Sequence, residues 1–199
     1  LTQITADLVK TLRERTGVGM MECKKALSET AGDMDKAVEY LRKQGIAKAE
    51  TKSGREAGEG LVEAYIHPGS RVGVLIEVNC ETDFVARTDE FQRLVRNLAM
   101  QIAATHPLTV RREDVPAALV ESERVIYAEQ LKNEGKPEAM IPRILEGKMD
   151  KFYQSVVLME QTYIRDDKKT VEEIVKEAIA KMGENIRVRR FATFTLGQD

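Results

Sequence analysis

The chain has 199 residues, 42% hydrophobic and 32% charged, with a formal net charge of −2. That length fits one domain, or one domain with a small appendage, and the near-neutral charge argues against a dedicated nucleic-acid binder, which shows a basic excess. No apolar run approaches the ~18–20 residues that cross a bilayer and no secretory apolar segment opens the chain, so a cytoplasmic location is expected, with an organellar matrix open if a leader preceded Leu1.

Residues 1–45 predict a compact unit of three short helices. Ile4, Leu8 and Leu12 repeat at i, i+4 and i+8 and share one helix face. Gly17 and Gly19 break that helix, and Met20, Cys23 and Leu27 line a second, which Gly32 stops. Asp33 can cap a third, with Met34, Val38 and Leu41 facing inward and Gly45 at its end. Residues 46–60 are charged, poor in large apolar side chains and dotted with Gly54, Gly58 and Gly60, which predicts a linker, with helix allowed over part of it. Residues 61–199 then form an α+β core domain.

Strand signals open that domain. Val62, Ala64 and Ile66 share one face, and Val72, Val74, Ile76, Val78 and Cys80 alternate over the next segment. Pro68-Gly69 between them suits a type II turn, so the pair reads as an antiparallel hairpin with one face on a core. ETDFVAR (81–87) follows, and then Phe91, Leu94, Val95, Leu98, Ala99 and Ile102 keep a helical period after a Thr88 cap. His106-Pro107 ends that helix. Residues 116–153 predict helix, with a kink or break at Pro142, and 154–164 fit either helix or strand. Thr170-Val-Glu-Glu173 is a capping-box pattern opening a helix that Gly183 ends. A last strand spans 186–196, with a slip near Arg189-Arg190 that a β-bulge would explain. The fold class is therefore α+β: an N-terminal helical module, then a small antiparallel sheet of about three strands packed with helices.

Catalytic patterns are missing. No phosphate-binding glycine loop, nucleophile elbow or zinc-protease motif occurs. Cys23 and Cys80, like the two histidines, are too scattered to hold a metal, and read as small apolar residues in a reducing compartment. A binding protein without a cofactor is the better expectation. Met20 lies on the Cys23/Leu27 stripe and is expected in the core, whereas Met21, one step round beside Lys24 and Lys25, is expected exposed. His67 sits at the lip of the turn. Phe84, flanked by Asp83 and Arg87, is either a plug closing the end of the sheet or an aromatic anchor for a partner.

Four stretches carry a resemblance. RERTGVGMMECKKAL (13–27), VNCETDFVAR (78–87), GKPEAMIPRILEGKM (135–149) and GENIRVRRF (183–191) together resemble the bacterial elongation factor Ts family, in order and over nearly the whole chain. The resemblance implies that residues 1–45 are a ubiquitin-associated-like module. It implies guanine-nucleotide exchange on elongation factor Tu, the GTPase that carries aminoacyl-tRNA to the ribosome, with no covalent catalysis by this chain. Asp83 and Phe84 of the TDFVA motif, with Thr82 and Val85 beside them, would meet the partner's GTPase domain near its magnesium site. Arg13, Met20 and Met21 match positions that touch a helix of that domain, and His67 resembles an inserted histidine. A single hairpin carries both YIHPGSRVGVL and NCETDFVAR, which resembles the short, single-subdomain form that works as a homodimer. Direct binding of nucleotide, nucleic acid or membrane is not expected; Arg187, Arg189 and Arg190 read as a solvated strand edge.

Overall fold

The computed structural model describes residues 4–198, apart from the side chain of Lys48. In chain order the elements are α1 (Ala6–Thr16), α2 (Met20–Glu29), α3 (Met34–Lys52), β1 (Glu59–Ile66), β2 (Val72–Cys80), α4 (Asp83–Ala86), α5 (Asp89–Thr105), α6 (Ala117–Asn133), α7 (Ile141–Val156), β3 (Thr162–Tyr163), β4 (Asp166–Thr170), α8 (Val171–Met182) and β5 (Arg187–Thr195). The class is α+β, and β1, β2 and β5 form a three-stranded sheet with β2 in the centre. Two compact units divide the chain. One takes the chain up to Gly60, Asn79–Gln92 and Glu173–Arg187; the other takes Leu61–Val78, Arg93–Glu172 and Val188 onward.

The first unit begins with the three-helix bundle that the periodicity predicts. Thr5 Oγ1 caps α1 by accepting the Leu8 N–H at 3.3 Å, and Gly17 ends it with φ 68°. Asp33 Oδ1 caps α3 by accepting the Lys36 N–H at 3.0 Å. Leu12, Cys23, Ala26, Leu27 and Ala37 are buried together, with Leu8, Val18 and Val38 packed against them.

The helix stop expected at Gly45 needs correction. Helix α3 does not stop at Gly45 but continues to Lys52, and the chain enters β1 at Glu59. A Cβ on Gly45 would lie 3.0 Å from the Ala180 Cβ of α8, so this glycine allows two helices to approach closely rather than ending one.

In the second unit the hairpin closes as expected. His67 and Val72 pair at 2.9 Å, the Ser70 N–H bonds to the His67 carbonyl, and Gly69 has φ 93°. Val74, Ile76 and Val78 of β2 are buried. The apolar face of β1 is not: Val62 and Ile66 are exposed, while Leu61, Glu63 and Tyr65 take the half-buried side. Period two says which residues share a face, and the neighbouring strand decides which face is covered.

Alternation in β5 breaks where expected. Arg189 and Arg190 are both exposed, and both reach the Glu77 carboxylate, at 3.6 and 2.7 Å. Adjacent strand residues point to opposite faces unless the strand is bulged. Pro142 also breaks the helix as anticipated: a 3-10 turn over Glu138–Met140 precedes α7, and Pro142 falls in its first turn.

The undecided stretch 154–164 holds the end of α7, a 3-10 turn and the short strand β3, which pairs antiparallel with β4. Buried Gln101 fixes that hairpin. Its Nε2 donates to the Thr162 carbonyl at 3.1 Å and its Oε1 accepts the Ile164 N–H at 2.8 Å.

Candidate partner-binding site

ETDFVAR folds as a tight turn followed by one turn of helix. Thr82 is extended and caps α4, its Oγ1 accepting the Val85 N–H at 3.4 Å. Ala86 is buried and anchors the turn. Phe84, two residues earlier, cannot share the face of Ala86, and its ring is 80% exposed. Of the two readings of Phe84, the plug is excluded. Asp83 pairs with Arg87 at 2.9 Å across the turn. Thr88 Oγ1 then accepts the Phe91 N–H at 3.2 Å and starts α5, as the cap reading anticipates.

The turn is held from behind. Glu184 Oε2 accepts the N–H groups of Glu81 and Thr82 at 3.1 and 3.0 Å, and its Oε1 accepts the Thr82 hydroxyl at 2.6 Å. Glu81 answers: its Oε1 accepts the Asn185 N–H at 2.6 Å and faces Arg55 at 3.5 Å. Asn185 Nδ2 donates to the carbonyls of Ser53 and Arg55, at 3.4 and 2.7 Å. Lys52 Nζ donates to the Gly183 carbonyl at 2.6 Å. Residues 183–185 thus tie the end of α3 to the turn that presents Phe84. Cys80 donates its Sγ–H to the Thr82 carbonyl at 3.1 Å. Burial, reinforced by the Glu184 charge, pushes this thiol up to about 11, so it packs rather than reacts.

Lys181 adds another tie within the same unit. Its ammonium pairs with Glu90 at the start of α5, and its side chain crosses Gly17, where a Cβ would collide with Lys181 Cε. The loop leading to Met20 and Met21 is therefore backed by α8.

Arg13 and Met21 are exposed, Met21 by 79%. Met20 overturns the core expectation, being 42% exposed. It opens α2, so its side chain leans back past the helix end, and Val18 packs on the bundle there instead. Arg13, Met20, Met21 and Thr82–Val85 all belong to the first unit; His67 belongs to the second. His67 is exposed, with Tyr65 Oη 3.2 Å from its Nδ1.

Glu81, Lys181 and Glu184 escaped the sequence reading. Glu184 lies inside GENIRVRRF, one of the resembling stretches, but a polar residue after a helix-ending glycine looks like ordinary loop.

The protein-family model described as Elongation factor TS matches residues 16–179. A protein named Elongation factor Ts from Thermosipho melanesiensis is 57% identical over 195 residues, covering 98% of this chain and 100% of the relative. The one from Thermoanaerobacter sp. strain X514 is 58% identical, covering 98% and 96%. That from Coprothermobacter proteolyticus is 56% identical, covering 98% and 100%. A turn so fixed and an aromatic so exposed thus occur in a chain that follows these relatives from end to end: it belongs to the elongation factor Ts family.

Proposed function

We propose that this chain is a guanine-nucleotide exchange factor for elongation factor Tu, acting in the cytoplasm and releasing GDP by inserting the Thr82–Val85 turn near the partner's magnesium and phosphate site. The exposed Phe84 ring on a fixed one-turn helix carries the reading. Exchange needs no covalent step. A factor that binds the nucleotide-free partner more tightly than the loaded one must, by linkage, weaken nucleotide binding by the same ratio. Each tenfold needs ~1.4 kcal/mol of differential interaction, and burying a Phe side chain gives roughly 1.5–3 kcal/mol. Phe84 alone can therefore supply about ten- to a hundredfold. Met20, Met21 and Arg13 supply a second contact against a helix of the partner, His67 a further one, and Asp83 perturbs the magnesium surroundings. Stopped-flow release of fluorescent GDP from elongation factor Tu tests the reading. The chain should accelerate release by orders of magnitude, and release at the spontaneous rate would reject it.

The short form is also proposed to act as a homodimer. Val62 and Ile66 of β1, Leu75 of β2 and Phe194 of β5 are large exposed apolar residues on one three-stranded sheet. A Cβ on Gly73 would lie 3.2 Å from Ile66 Cδ1, which puts Ile66 on the face of Gly73 and Leu75. A second copy, presenting the same self-complementary face, covers such a patch with closed symmetry. Sedimentation of wild type and of Ile66→Asp should give dimer and monomer masses; a monomeric wild type at tens of micromolar would reject it.

A further inference from the structure

We infer that Glu184 is a positioning residue for exchange: it shapes the Thr82 cap and thereby fixes where Phe84 points. The inference rests on the exchange reading of Phe84.

The geometry makes Glu184 the acceptor for three donors at the start of the turn: the Glu81 and Thr82 N–H groups on one oxygen, the Thr82 hydroxyl on the other. A hydroxyl has one proton and two lone pairs. With its proton committed to Glu184, the Thr82 hydroxyl has only lone pairs left for Val85, and it accepts that N–H. The carboxylate therefore orients the cap, and the cap sets the helical turn on which Phe84 stands. Phe84 has little packing of its own, being 80% exposed, so its direction depends on the backbone beneath it. The bonds of Glu184 go to the backbone of Glu81 and to Thr82, so its effect on Phe84 passes through the turn.

The two-oxygen arrangement distinguishes Gln from Ala as a replacement. The amide introduced by Glu184→Gln has a single acceptor oxygen, so it can serve the two N–H groups or the hydroxyl, but not both. Glu184→Gln should lie between wild type and Glu184→Ala.

The test measures fluorescent GDP release from elongation factor Tu by the full chain at saturating and subsaturating concentrations, with amide hydrogen exchange at Val85 alongside. Glu184→Ala should slow release at least fivefold at saturation and speed Val85 exchange, with Glu184→Gln intermediate in both. In the Phe84→Ala background, Glu184→Ala should add less than twofold, because its effect passes through the missing ring. Release within twofold of wild type for Glu184→Ala, or full multiplication of the two single effects, would overturn the inference. Should Glu184→Ala not fold, Glu184→Gln carries the same cycle. Slow release by Phe84→Ala beside a wild-type rate for Glu184→Ala sinks this inference alone; a wild-type rate for Phe84→Ala sinks the reading beneath it as well.

Discussion

Two exposed side chains stand on turns built in opposite ways. Phe84 follows a turn with a carboxylate behind it, a capping hydroxyl, and a reciprocal Glu81–Asn185 bond. His67 opens a hairpin turn closed by two backbone bonds, with the Tyr65 hydroxyl beside its ring, and a Cβ on Gly69 would meet nothing within 4 Å. A turn whose backbone is already fixed loses little freedom on binding, whereas an open one must first be ordered. On the exchange reading proposed above, the first turn would present its side chain ready-placed and the second would adapt to the partner.

Substitutions at the two turns put that contrast to the test. The largest effect is expected from Phe84→Ala, which should slow GDP release tenfold or more while its melting temperature stays close to wild type, since exposed positions seldom matter by more than ~0.5 kcal/mol. A large fall in melting temperature would show a structural ring instead. Thr82→Val removes the cap and the hydroxyl held by Glu184. It should cost about 1 kcal/mol of stability in a urea titration and slow release severalfold, whereas Thr82→Ser should keep most of both. Asp83→Ala, which frees Arg87 from an exposed pair worth ~0.2–1 kcal/mol, should slow release less than Phe84→Ala in the same assay. His67→Ala is expected to be mildest, about two- to threefold; a loss matching that of Phe84→Ala would erase the distinction between the turns.

Much of this was legible in the residues. The β2 alternation, the α5 stripe, the Asp33 and Thr88 caps and the break at Pro142 follow local rules, and local rules can be read from a single chain. What was missed depends on neighbours distant in sequence. Gly45 reads as a helix stop until Ala180 lies against it. The Val62/Ile66 stripe reads as core until β2 commits its own buried side to the other face. The β3–β4 hairpin hides in a charged segment whose register a buried Gln101 sets from α5. For the candidate site, the exposed Met21 was anticipated from its place on the helix, Met20 was not, and the supports of Phe84 were invisible because no spacing rule links positions so far apart.

That distance has a consequence for synthesis. Thr82 and its acceptor are separated by 102 positions, and translation delivers them in order. While the chain is still growing, the aromatic of a half-made molecule stands on an unshaped turn. The carboxylate bonds beneath Phe84 therefore arrive late, with the connector after α8, and a prematurely terminated product that keeps the bundle and the hairpin lacks them.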